Sequence, residues 1–213
     1  MTKSPRCCRE IAAGFFRNAR TSHDWEHTLR VVQLCERMGP VEGADMQVLM
    51  TAAYLHDIGR QIEDEQVGGV CHARVGARLA VELLAELPLG EGQKRNVIHC
   101  IRTHRFRDGA APETIEAKVL FDADKLDAIG AVGIARAFMF AGEVGARLHN
   151  PDGDIEGTRP YSRDDTGYRE YMVKLRKIKD RMLTTSGRRM AEGRHRFMES
   201  FFEQLVAEHQ SES

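Results

Sequence analysis

The sequence predicts an all-α protein, and three observations carry that expectation. Apolar residues recur three and four positions apart in one segment after another, the spacing that lines a single face of a helix. The segment ends coincide with capping residues or with Gly and Pro. No stretch reads as a strand, and there is no internal repeat or low-complexity run. With 213 residues and 42% hydrophobic content the chain can bury a proper core. The expected architecture is a compact single helical domain over 1–213, with a motif-bearing core at about 20–140, a glycine-rich excursion at 141–168 and additional C-terminal helices at 168–209.

Taken in order, residues 6–19 set Ile11, Ala12, Phe15 and Phe16 among Arg and Asn, which predicts a short amphipathic packing helix. The next helix takes Ser22 or Asp24 as its N-cap, carries His27, Val31, Leu34 and Met38 on one stripe, and closes at Gly39-Pro40. His23 falls off that stripe and is expected in solvent. In MQVLMTAAYLHDIG, the residues Val48, Leu49, Ala52, Ala53 and Leu55 define an inward face that delivers His56, with Asp57 beside it, into the core. Gly59-Arg60-Gln61 and the acidic run Glu63-Asp64-Glu65 up to Gly68-Gly69 read as a mobile loop bordering that pair.

Helical patterning resumes at CHARVGARLAVELLAEL, with His72 on the first turn directed at the preceding loop. From Glu91 to His104 a helix sets Val97, Cys100, Ile101 and His104 on one face, followed by the basic run Arg105-Phe106-Arg107. Pro112 opens a long helical pattern as far as Phe140, in which Ala117, Leu120, Phe121, Asp124 and Ala128 share a stripe. An acid inside that apolar stripe needs a reason; Asp122 is easier to place outside, and Asp127 is a second inward candidate. Residues 141–168 then break the rhythm with five glycines and two prolines, as a lid or a disordered excursion does. Two helices, roughly Tyr168 to Leu183 and Thr185 to His209, close the chain, and residues 169–196 hold ten Lys/Arg against three Asp/Glu, an anion-binding face or a solvated helical surface.

A net charge of -1 gives no global attraction to nucleic acid or membrane. Five cysteines without a C-x-x-C pair suit free thiols in a reducing compartment. The first 20 residues are interrupted by Arg6, Arg9, Glu10, Arg17 and Arg20, and no later run reaches the ~18 apolar residues of a membrane span. A cytoplasmic location is expected.

The inward stripes converge on His27, the pair His56–Asp57, and Asp124: two imidazoles and two carboxylates from three helices. A carboxylate buried beside an imidazole is costly unless a cation neutralises it. Mixed nitrogen and oxygen donors suit a divalent ion, Mn first, with Fe, Co, Zn or Mg as alternatives.

With these residues in HDWEHTLRV, AAYLHDIG and FDADKLDAIG, the chain resembles the HD-domain metal-dependent phosphohydrolase superfamily, whose pattern is H…HD…D. The resemblance covers roughly residues 20–140, and is strongest to small bacterial HD proteins with HRFR and DADKLDAIGA segments, some of them nucleoside triphosphate pyrophosphohydrolases. It implies a metal held by His27, His56, Asp57 and Asp124 in an all-helical domain. Relatives that hydrolyse the alarmone ppGpp carry a Glu-Asp pair just after His-Asp, where this chain has Arg60-Gln61. Two-metal relatives add two histidines, and His72 and His104 occupy comparable places, to bind a second ion or to contact phosphate.

The mechanism expected is water activated by the metal, with Asp57 at the centre and Lys125 countering charge on the phosphoryl oxygens. His72, His104 and Arg107 are further substrate contacts, and Asp127 or Glu63 would accept the water proton. The expected reaction is hydrolysis of nucleoside triphosphates to monophosphate and pyrophosphate. Alternatives are a nucleoside monophosphate phosphatase, a cyclic-nucleotide phosphodiesterase, or a nucleotide-binding module without turnover. The expected partner is a small phosphorylated molecule, a nucleotide; a homodimer is compatible with the sequence. A nucleic-acid partner is disfavoured by the charge balance and by few aromatics in the basic segment.

Overall fold

A computed structural model of the chain describes residues 5–16, 25–66, 69–105, 110–150 and 154–211. Among them every regular element is a helix, as the periodicity predicts. The chain forms two compact units, residues 1–124 and 125–213.

In the first unit, α1 (Pro5–Gly14) is followed by α2 (Trp25–Glu42), whose N-cap candidates Ser22 and Asp24 lie, like His23, outside the described residues. His27, Val31, Leu34 and Met38 are all buried, but the helix does not stop at Gly39-Pro40. Gly39 serves close packing instead: a Cβ there would meet Leu49 Cδ2 at 2.5 Å and Met46 Sδ at 2.6 Å. The helix ends two residues after Pro40, with Gly43 at φ 75° and Ala44 N–H donating to Gly39 O at 3.0 Å, a Schellman closure that needs the left-handed conformation glycine tolerates.

The next helix, α3 (Met46–Leu55), starts on Asp45, whose carboxylate accepts from the backbone N–H of Gln47 and Val48. It packs on α1, α2 and the later helix over Glu91–Thr103, so its stripe of Val48, Leu49, Ala52, Ala53 and Leu55 is buried. The segment expected as a mobile loop contains a helix, α4 (Arg60–Glu65). Its i,i+3 and i,i+4 pairs, Arg60 with Glu63 and with Asp64, turn the acidic run into one helical turn with Glu63 inward. Helices α5 (His72–Ala85) and α6 (Glu91–Thr103) pack on each other. The following helix, α7 (Ile115–Asp127), begins just after Thr114, whose Oγ1 accepts from Ala117 N–H, rather than at Pro112. Asp122, expected outside, is fully buried.

In the second unit the single long pattern expected from Pro112 to Phe140 is interrupted: α8 (Gly130–Glu143) starts at Gly130 with φ 78°, and a Cβ at Gly133 would lie 2.2 Å from Ala128 O. α9 (Gly167–Val173) and α10 (Thr185–Gln210) pack on α8, with Tyr171 stacked on Phe202 at 4.2 Å. The helix expected to reach Leu183 stops at Val173 and continues as two 3-10 turns, Leu175–Lys177 and Lys179–Arg181. The described part of the glycine-rich excursion is pinned by Arg169, which donates to Asp165 Oδ1 (2.8 Å), Thr158 O (2.9 Å) and Ile155 O (3.1 Å). Basic residues of the C-terminal segment are spent on such structural contacts: Arg188 on Met182 O, Arg194 on Leu126 O and Lys174 on Glu170.

No helix among the described residues is long and apolar enough to cross a membrane. The described cysteines Cys8, Cys35, Cys71 and Cys100 are free thiols; burial and the nearby Glu116 charge push Cys100 up to about 12, which leaves it an inert packing group.

Candidate metal centre

The centre lies in the first unit and is built where helices end. His56 follows the last residue of α3, and its Nδ1–H donates to Ala53 O at 2.8 Å. That bond leaves Nε2 unprotonated and directed inward. Burial lowers the His56 pKa to about 4, against the Asp57 charge that acts to raise it, so the ring is a neutral donor. Its Nε2 lies 3.4 Å from His27 Nε2 and 3.8 Å from Asp57 Oδ2; His27 Nε2 is 3.4 Å from Asp124 Oδ1. His27, His56 and Asp124 thus form one compact donor group, with Asp57 Oδ2 also 3.8 Å from His27. His27, His56, Asp57 and Asp124, the four residues expected to share a metal, thus lie close to one another.

A second group lies on the other oxygen of Asp57. His104, just past the end of α6, donates Nδ1–H to Ile101 O at 2.7 Å, and His72 Nδ1–H donates to Glu63 Oε2. In the neutral rings both Nε2 atoms carry lone pairs, and they face each other at 3.2 Å, with His104 Nε2 3.5 Å and His72 Nε2 3.0 Å from Asp57 Oδ1. Three electron pairs converging in a buried space repel unless a cation sits among them. The two donor groups, His27–His56–Asp124 and Asp57–His72–His104, each have their ligand atoms within 4.8 Å of one another. Four imidazoles and two carboxylates so arranged fit divalent cations.

Burial works to raise the Asp57 pKa, but the neighbouring rings of His56, His104 and His72 outweigh it and hold the carboxyl well below its usual range. Glu63 behaves alike: its burial is outweighed by His72 and Arg105, so its pKa is lowered.

Of the other residues singled out from the sequence, Arg107 lies outside the described residues. Lys125 and Asp127 belong to the second unit, where Asp127 is buried with Arg136 Nη1 donating to its Oδ2 at 2.9 Å, and Lys125 is half-buried. The sequence does not point to Arg60 and Arg105 at the centre, and it sets Glu63 on a loop where the structure has a helix. Arg105 Nη1 donates to Glu63 Oε1 at 3.0 Å, and Arg60 Nη1 is 3.4 Å from Glu63 Oε2. The sequence signal was the helical spacing of Arg60, Glu63 and Asp64 immediately after His-Asp-Ile-Gly.

An all-helical unit with an inward His–Asp pair and a histidine and an aspartate from other helices around it defines an HD domain. The chain belongs to the HD domain family, whose model matches residues 24–129. It is 38% identical over 190 residues to the Bacillus subtilis (strain 168) protein YpgQ, covering 87% of this chain and 83% of YpgQ. The crystal structure of Bacillus subtilis YpgQ in complex with ADP matches with a TM-score of 0.74 and 34% identity, over 96% of this chain and 97% of that one. An HD-superfamily hydrolase from Bacillus thuringiensis matches with a TM-score of 0.75 and 30% identity, over 97% of this chain and 96% of the other. The chain therefore stands among the HD-superfamily hydrolases.

Proposed function

We propose that the protein is a metal-dependent phosphohydrolase that converts nucleoside triphosphates to monophosphate and pyrophosphate. The observation that carries this reading is the pair of donor groups on either side of Asp57, one approaching its Oδ2 and the other its Oδ1. A similar protein, YpgQ, is known with ADP bound, which supports a nucleotide as the substrate class here.

His27, His56 and Asp124 would hold one divalent ion, Mn first, with one Asp57 oxygen alongside, and Asp57, His72 and His104 a second. His72 and His104 are assigned to a cation rather than to phosphate because their inward nitrogens accept, and phosphate oxygens accept too. When bound, such an ion polarises a phosphoryl oxygen and lowers the pKa of a water from ~15.7 toward ~7. These histidines and carboxylates would fix its position. Contributions of Lys125 and Arg107 to phosphate binding, and of Asp127 to proton transfer, rest on the sequence alone and are tested by substitution.

A panel of nucleoside mono-, di- and triphosphates and cyclic nucleotides, run with Mn²⁺ and separate detection of phosphate and pyrophosphate, tests the reading. Pyrophosphate with nucleoside monophosphate is the expected product pair. Orthophosphate without pyrophosphate would indicate a monoesterase, and bound metal without turnover a nucleotide-binding module; either overturns it.

A further inference from the structure

Three residues around His72 have no part in the reading above: Glu63, Arg60 and Arg105. Their arrangement begins at Gly59. A Cβ on that residue would lie 2.4 Å from His72 O and 2.6 Å from Gly76 N, so only glycine lets the start of α4 seat itself on the first turns of α5. One turn along α4, Glu63 then meets His72 Nδ1 with its carboxylate, its side chain 11% exposed. Its carboxylate is fixed from two directions, with Arg105 Nη1 at 3.0 and 3.3 Å from its two oxygens and Arg60 Nη1 at 3.4 Å from Oε2.

We propose that Glu63 is a positioning residue that selects the tautomer of His72. By accepting the Nδ1–H it keeps Nε2 as an electron-pair donor toward Asp57 Oδ1 and His104 Nε2. The surroundings would impose the opposite tautomer without it. Arg60 Nη1 and Arg105 Nη1 stand 3.0 and 3.1 Å from His72 Nδ1, and both are obligate donors. Facing them alone, Nδ1 becomes an acceptor, the proton moves to Nε2, and Nε2–H donates to Asp57 Oδ1. That hydrogen bond removes the electron pair a cation needs. Glu63 is therefore what converts two arginines beside a histidine from an obstacle to cation binding into a brace for it.

The inference rests on the reading of Asp57, His72 and His104 as a cation position, and two measurements separate its fate from that reading's. The first uses long-range ¹H–¹⁵N NMR of the histidine rings in the full metal-free chain, at a pH where the rings are neutral. Wild type is expected to show the Nδ1–H form of His72, and Glu63→Ala the Nε2–H form. The same Nδ1–H form in both would overturn the role of Glu63 whatever the site binds. The second is calorimetric titration with Mn²⁺ alone. Glu63→Ala is expected to lose ~10–100-fold in affinity at one position, the cost typical of removing an outer partner of a ligand histidine, with the other position unchanged. Equal weakening of both positions, or of neither, contradicts the assignment. A wild-type chain that takes up a single ion defeats the second cation position while leaving the tautomer result to decide about Glu63. Glu63→Gln, nearly the same shape and still able to accept through its amide oxygen, is expected to retain more of the Nδ1–H form than Glu63→Ala, which separates positioning from a general loss of fold.

Discussion

The Nε2 atoms of His72 and His104 face each other at 3.2 Å across the Oδ1 edge of Asp57. Each ring's Nδ1 is already occupied, by Glu63 and by the Ile101 carbonyl, so in the neutral rings neither inward nitrogen has a proton of its own to share. Asp57 reaches the second group through Oδ1 and the first through Oδ2. Replacing it with Asn removes the charge common to both while preserving shape. Asp57→Asn is expected to lower turnover by more than the ~10–100-fold typical of an outer partner, with helix content by circular dichroism unchanged. Activity within a few-fold of wild type would show that Asp57 is not at the centre.

Gly59, the N-cap of α4, sits directly against the first turns of α5. Gly59→Ala forces its Cβ against backbone atoms, which cannot rotate away, so an overpacking cost of about 1–3 kcal/mol is expected. Urea unfolding reads that cost as a lower midpoint. Mn²⁺ uptake measured on the folded variant is also expected to weaken, because α4 carries Glu63.

Asp45 caps α3, and Asp45→Ala is expected to cost about 1 kcal/mol, while Asp45→Asn keeps most of the cap. The Asp45 pKa is lowered, chiefly by the hydrogen bond from Gln93. A lowered folded-state pKa means that the ionised form is favoured by folding. The stabilisation is therefore complete above the unfolded value of ~3.9 and is lost as pH falls through the folded value. Unfolding of wild type and Asp45→Ala should differ at neutral pH and converge in acid.

In the second unit Arg169 ties α9 to the chain around Ile155, Thr158 and Asp165. Arg169→Met keeps the aliphatic stem and removes the donors, leaving a largely buried Asp165 carboxylate short of a partner. A loss of about 1–3 kcal/mol is expected, together with faster proteolytic cleavage between 154 and 166. Unchanged cleavage would assign the ordering of that segment to other contacts.

Most of the helices and all four residues of the H…HD…D pattern were legible in the sequence, because burial of a stripe is written in its spacing. His27 lies on α2, and His56 and Asp57 directly follow α3, whose stripe of Val48, Leu49, Ala52, Ala53 and Leu55 is buried. What failed has a common cause: local signals were overruled by tertiary contacts. Gly39-Pro40 looked like a stop, but Gly39 was needed where Leu49 approaches. The break at Gly130 was hidden because apolar spacing continues on both sides of it, and only its φ reveals the turn. Asp122 looked exposed beside Lys118 and is buried. Glu63 was concealed in an acidic run that composition alone marks as surface; its partners Arg105 and His72 are 42 and 9 residues away.

The most direct test is metal content. Metal-free protein equilibrated with Mn²⁺, freed of unbound ion and analysed by elemental mass spectrometry is expected to retain two ions per chain, and Asp57→Ala to retain almost none. Wild type that holds no Mn²⁺, or Asp57→Ala that holds as much as wild type, would contradict the account.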